Sequence, residues 1–129
     1  MATRTAALSP NAPAPSPLMS QAIICNGMVY CSGALGIDPT TGKFVEGDAA
    51  ARAAQALRNL NAVLESAGTS LQKAVKITIF LSSMEHYPKV NEAYAQFFTQ
   101  DPKPARTCVS VAELPLGAEM EIEAIAALA

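Results

Sequence analysis

Two short runs near the C-terminal end constrain the fold more than any other feature. Pro104–Val111 and Glu119–Ala126 both alternate with period two. A strand turns successive side chains to opposite faces, so short alternating runs of this apolar content read as strands, joined here by a turn at Pro115 and Gly117. On the first run Arg106, Cys108 and Ser110 share one face, and Thr107, Val109 and Val111 the other. On the second, Glu119, Glu121 and Glu123 lie opposite Met120, Ile122 and Ala124. An arginine beside a cysteine on one strand, with a carboxylate row on the next, would build a small site for an anionic substrate. Spacing alone fits an exposed, charge-dressed sheet face equally well.

The preceding chain supplies the partners of these strands. Residues 1–16 are rich in Ala, Pro and Ser, which predicts a flexible segment, extended or poorly ordered and unable to form helix. Asn26-Gly27 marks a tight hairpin turn, followed by a strand over Met28–Leu35. Asp48 caps a helix whose buried stripe is Ala53, Leu57, Leu60, Leu64 and Ala67, ended by Gly68. Arg52, Gln55, Arg58, Asn59 and Glu65 read as its solvated surface. Ala74–Leu81 is the most apolar strand, with Val75, Ile77, Ile79 and Leu81 on one face. Pro88 opens a second helix with the stripe Val90, Ala93, Tyr94, Phe97 and Phe98. His86, just before it, has no Asp or Cys neighbour to orient it and reads as a solvent-facing capping residue.

The order β-β-α-β-α-β-β describes one α+β domain over residues 17–129, a mixed sheet with both helices on one face. The other sheet face is expected to carry Phe80, Thr78 and Cys108 beside Arg106, with no cover from the chain itself. A face that apolar predicts an oligomer.

Composition narrows the function classes. A chain of 129 residues, 50% hydrophobic, builds one core, and its net charge of −2 gives no general attraction for nucleic acid. Cys25, Cys31 and Cys108 are odd in number, lack a CxxC pair and have only His86 for company, which excludes structural-zinc spacing. They suit a reducing compartment, the cytoplasm, with the mitochondrion as the alternative. The early residues lack an apolar core of signal-peptide length. No segment approaches the ~20 apolar residues of a membrane span.

An ordered series of short motifs carries a resemblance. It comprises Ser20-Gln21-Ala22, Asn26-Gly27 through Ser32-Gly33, Asp38-Pro39 with Gly42, Gln55-Ala56-Leu57, Asn59-Leu60 and Val63-Leu64-Glu65. It continues with Val75-Lys76, Val90-Asn91-Glu92, Tyr94, Phe97-Phe98, Pro104-Ala105-Arg106-Thr107-Cys108-Val109, Leu114-Pro115 and Glu121 through Ala126. Over about residues 17–127 the chain resembles the RidA (YjgF/YER057c/UK114) family of reactive-intermediate imine deaminases, and its fungal members most.

The resemblance implies a chorismate-mutase-like fold and a homotrimer whose sheets close into an inner barrel, with three sites between subunits. It implies hydrolysis of 2-imino acids, such as 2-iminobutanoate and 2-iminopropanoate, to 2-oxo acids and ammonia, without metal or organic cofactor. By the same resemblance Arg106 binds the substrate carboxylate, a planar group matched by the guanidinium fork. Glu121 holds and polarises the attacking water, and the Cys108 backbone carbonyl lies beside the reacting nitrogen. The Cys108 thiol itself reads as small, buried and inert. The Gly33 N–H, after Ser32, helps hold the carboxylate. Asn91 lies near the pocket or on the plain helix surface. Met19 takes the position where many members carry an aromatic, with one extra residue between Pro17 and Ser20-Gln21, so the likeness does not extend to the N-terminal wall of the pocket. Two other functions stay open: a non-catalytic, chaperone-like trimer holding small carboxylates, and, more weakly, an endoribonuclease.

Overall fold

The computed structural model describes residues 3–129. Its strands are β1 (Thr5–Ala7), β2 (Ala22–Cys25), β3 (Met28–Cys31), β4 (Ala74–Leu81), β5 (Ala105–Ser110) and β6 (Met120–Ala127). Its helices are α1 (Ala49–Ser66) and α2 (Tyr87–Phe97). The fold is the mixed α+β arrangement expected, one six-stranded sheet in the order β1-β2-β3-β6-β4-β5.

Local chemistry explains most elements. Asn26 and Gly27 both take positive φ, 51° and 75°, so β2 and β3 are joined by the two-residue turn that suits strand twist. The Asp48 side chain accepts from the Ala51 N–H and starts α1. Gly68, at φ 94°, lets the chain leave that helix in the left-handed region. Leu57, Leu60, Leu64, Ile77, Ile79, Leu81, Met120 and Ile122 form the centre of the core, all nearly inaccessible. Burying each such side chain contributes about 1.5–3 kcal/mol.

Four features differ from the sequence-based expectations. The flexible 1–16 segment is in part a strand: Thr5–Ala7 pairs with Ile24–Ala22, and Ala7, Ser9 and Ala12 are buried. The cause is Gln21, whose carboxamide accepts from the Ser9 N–H at 2.6 Å and donates to the carbonyls of Ser9 (3.1 Å) and Pro13 (2.9 Å). A proline-rich segment cannot satisfy its own backbone, so a buried amide does it instead.

Val75 is exposed, not buried with Ile77. The ladder to β6 shifts register between Ala74 and Lys76, and Val75 is the extra residue of the bulge.

The largest correction concerns the two runs that opened the sequence argument. β5 and β6 are not neighbours, because β4 lies between them, antiparallel to β6 and parallel to β5. The parallel pairing sets Arg106 beside Ile77 and Cys108 beside Ile79. Residues side by side on paired strands share a face, so Arg106 and Cys108 lie on the helix side. The open face carries Lys76, Thr78 and Phe80 of β4, Thr107 and Val109 of β5, and Glu121, Glu123 and Ile125 of β6. Cys108 therefore does not belong to the uncovered face.

The α1 surface also needs revision. Asn59 is buried, donating to the carbonyls of Leu35 (3.1 Å) and Ile37 (2.8 Å), and Arg52 makes a two-oxygen ion pair with Glu119 at 2.9–3.0 Å. Both residues tie α1 to the loop after β3 or to the start of β6.

Candidate functional site

The candidate residues fall into two groups at different places on the sheet. The first gathers around Gly33, where the chain leaves β3 and runs beside β6. Ala34 and Ile122 exchange backbone hydrogen bonds of 2.8 and 3.0 Å, which fixes this segment against β6. The Ser32 N–H donates to the Gln21 carbonyl (2.9 Å), and its hydroxyl to the Ser20 carbonyl (2.7 Å). The intervening Gly33 N–H has no partner among the described residues.

Against Gly33 lies the Glu121 carboxylate. A Cβ at position 33 would stand 2.7 Å from both Cδ and Oε2, so only glycine permits this approach. Burial raises the Glu121 carboxyl above its ordinary range, and the nearby Glu123 charge raises it further. Met19 and Ser32 stand between two hollows beside this group. One is a cavity of about 170 Å³ reaching Gly33, Leu35, Leu60 and Val63. The other is an open cleft of about 430 Å³ bounded by Arg4, Leu18, Ile23 and Tyr30.

The second group is built on β5 and α2. Tyr87, Asn91 and Tyr94 recur at spacings of four and three, one stripe of a helix, and all three meet Arg106. Arg106 Nη1 donates to Asn91 Oδ1 at 2.8 Å and Nη2 to the Tyr87 hydroxyl at 3.3 Å. Its guanidinium carbon lies 4.7 Å from the centre of the Tyr94 ring and 5.8 Å from that of Tyr87. Among the described residues no carboxylate lies within ion-pairing distance of it. Arg52, by contrast, is neutralised by Glu119.

Cys108 follows two residues along β5. Burial pushes its thiol up, and the Arg106 charge offsets this only in part, which disfavours the thiolate. Cys31 is pushed up to about 12 by burial alone. Burial thus disfavours the thiolate form of both. His86 makes no side-chain capping bond at the start of α2. No group of three or more metal-ligating side chains occurs among the described residues, and no described helix is long and apolar enough to cross a membrane.

The structure thus brings Met19, Ser32, Gly33 and Glu121 into one region, and Asn91, Arg106 and Cys108 into another. It does not bring the two together within one chain. Sequence reasoning missed Tyr87 as a partner of Arg106 and read Tyr94 only as part of the apolar stripe. Their common spacing with Asn91 was the available signal.

Comparison with known proteins gives a consistent answer. The family model described as Endoribonuclease L-PSP matches residues 9–128. Protein HMF1 of Saccharomyces cerevisiae is 42% identical over 125 residues, covering 97% of this chain and 95% of that protein. Protein mmf1, mitochondrial, of Schizosaccharomyces pombe is 43% identical over 129 residues, covering 98% of this chain and 77% of its own length. Among solved structures, E. coli TdcF with bound serine superposes with a TM-score of 0.89 at 34% identity, covering 95% of this chain and 98% of that one.

Proposed function

This chain belongs to the RidA (YjgF/YER057c/UK114) family, that of the Endoribonuclease L-PSP model, and on that premise we propose that it is an imine deaminase. Its substrates in this reading are 2-imino acids of the size of 2-iminopropanoate and 2-iminobutanoate. The observation that carries it is that Arg106 has no carboxylate partner among the described residues. A half-buried guanidinium whose partners among the described residues are all neutral keeps its attraction for an external anion, and its planar donors match a carboxylate.

In the proposed reaction Arg106 grips the substrate carboxylate, and the free Gly33 N–H is a second donor to it. Glu121 accepts a proton from a water molecule as the water oxygen bonds to the iminium carbon. Glu121 returns that proton to the nitrogen of the resulting carbinolamine. It then accepts the hydroxyl proton as the C=O bond forms and the C–N bond breaks, and the ammonia released carries that proton away as ammonium. The Cys108 carbonyl accepts a hydrogen bond from the reacting nitrogen, while Ser32 and Met19 line the approach. No covalent nucleophile is required, so positioning and electrostatics supply the rate enhancement.

Arg106 and Glu121 cannot meet within one copy, so the reading includes a homotrimer with sites between subunits. The open sheet face supports this, because it exposes Tyr30 and Val109 at 47% and 42%. We place the activity in the cytoplasm, where three unpaired thiols stay reduced; the mitochondrion, named for the S. pombe relative, is the other such compartment.

The test is a coupled assay in which a pyridoxal-phosphate dehydratase generates the imine in place and ammonia release is followed. Acceleration that disappears in Arg106→Ala is expected. Release no faster than in buffer would sink the deaminase and leave the second reading, a carboxylate-binding trimer without turnover. That alternative draws on the serine held by TdcF. Endoribonuclease activity has less behind it: the chain is net acidic and sets Glu121 and Glu123 together on its open face.

A further inference from the structure

Arginine is a poor anchor unless something fixes its plane. Four side-chain torsions precede the guanidinium, and ordering them costs rotamer freedom. A carboxylate partner would fix the group but would also cancel its charge. Here the restraint is neutral and comes from three directions. Asn91 holds one η nitrogen, the Tyr87 hydroxyl holds the other, and the Tyr94 ring closes one face. Tyr94 is itself braced from behind, since its ring stacks on buried Phe98 at 4.3 Å with an interplanar angle of 26°. A continuous stack thus runs from the core through Phe98 and Tyr94 to the guanidinium. Of the five N–H donors of a guanidinium, Asn91 and Tyr87 take one each, and no acceptor among the described residues engages the other three.

We infer that Tyr94, backed by Phe98, is the positioning residue that presents Arg106 to a planar carboxylate with its charge uncompensated. The contact uses the ring face and not the hydroxyl, which separates this role from general acid–base work by Tyr94. The consequence for turnover rests on the deaminase reading above; the clamp itself does not.

Two measurements keep those failures apart. The first is NMR of the Arg106 side chain in the intact protein, with Arg106→Lys used to assign its signals. A guanidinium stacked on an aromatic face shows upfield ring-current shifts, expected in the parent and in Tyr94→Phe but lost in Tyr94→Leu. An Arg106 signal at ordinary arginine shifts in the parent overturns the clamp, whether or not any variant folds. The second is steady-state kinetics on dehydratase-generated imine. Tyr94→Leu should lose roughly 3- to 30-fold in kcat/KM, the range of a cation–π contact, mainly by a raised KM. Tyr94→Phe should recover most of the parental value. Parental KM in folded Tyr94→Leu overturns the positioning role. Parental activity in Arg106→Ala instead removes the deaminase site while leaving the NMR result to decide the clamp.

Discussion

Arg106 and Glu121 stand on opposite faces of the same sheet, on strands separated by β4. A site that uses both must draw them from different copies, so the chain should be a trimer in light scattering at micromolar concentration. Arg106→Ala and Glu121→Gln should each be inactive alone. Unfolded together and refolded as mixed trimers, they should regain activity in about a quarter of the sites, by random assortment. Mixtures as inactive as the two parents contradict the shared site.

Removing the Arg106 charge should cost more than reshaping it. Lysine keeps the cation without the planar fork, so Arg106→Lys should be impaired and Arg106→Ala more so. Truncating one partner of a buried charge pair costs about 2–5 kcal/mol, which corresponds to roughly 30- to 4,000-fold in kcat/KM. Both variants should stay trimeric, because the side chain contacts no carboxylate of its own chain among the described residues. Dissociation of the trimer in Arg106→Ala, with activity per assembled site unchanged, points instead to a structural role.

The pH profile should reveal the Glu121 environment. Its carboxyl is raised by burial and by Glu123, and the proposed reaction needs it ionised. Activity should therefore fall as pH drops through a value above the ordinary ~4.3 of a glutamate. Glu123→Gln removes the like charge, so the acid limb should move to lower pH with the maximal rate largely kept. An acid limb unmoved in that variant argues that Glu121 does not set it.

Met19 borders both the cavity and the open cleft beside Gly33. Methionine packs adaptably, whereas tyrosine is rigid and carries a polar end. Met19→Tyr should reorder kcat/KM across imines derived from small and large amino acids while circular dichroism and trimer mass stay parental. An identical ranking in both proteins shows that this side chain does not line the substrate path.

Gln21 should hold the N-terminal strand in place. Gln21→Ala leaves the Ser9 N–H and the Ser9 and Pro13 carbonyls without their partners, at a cost of about 1–3 kcal/mol for each group that stays buried. Amide exchange at Ser9 should accelerate strongly while exchange in β4 stays slow. Equal protection in parent and variant shows that strand pairing alone orders the segment.

What the amino-acid sequence determined by itself is what short-range chemistry can decide. The Asn26-Gly27 turn, the Asp48 cap, the apolar stripes of α1 and α2, and the alternation within β4, β5 and β6 depend on neighbours a few residues away. So did the placing of Arg106 with Cys108, and of Glu121 with Glu123, on common faces of their own strands. Alternation specifies parity within a strand but not which strand lies beside it, nor which of its faces meets the helices. Those were decided when β4 inserted between β5 and β6 and paired Arg106 with Ile77, moving it away from the Glu121 face. Polar side chains were the other blind spot. Gln21 and Asn59 look solvent-facing in a one-dimensional pattern, yet both are buried because distant backbone needs their hydrogen bonds. Tyr94 was legible as a stripe residue, but only the crossover from α2 to β5 puts its ring beneath Arg106. Local spacing cannot carry contacts of that kind, because they form only when the sheet order is set.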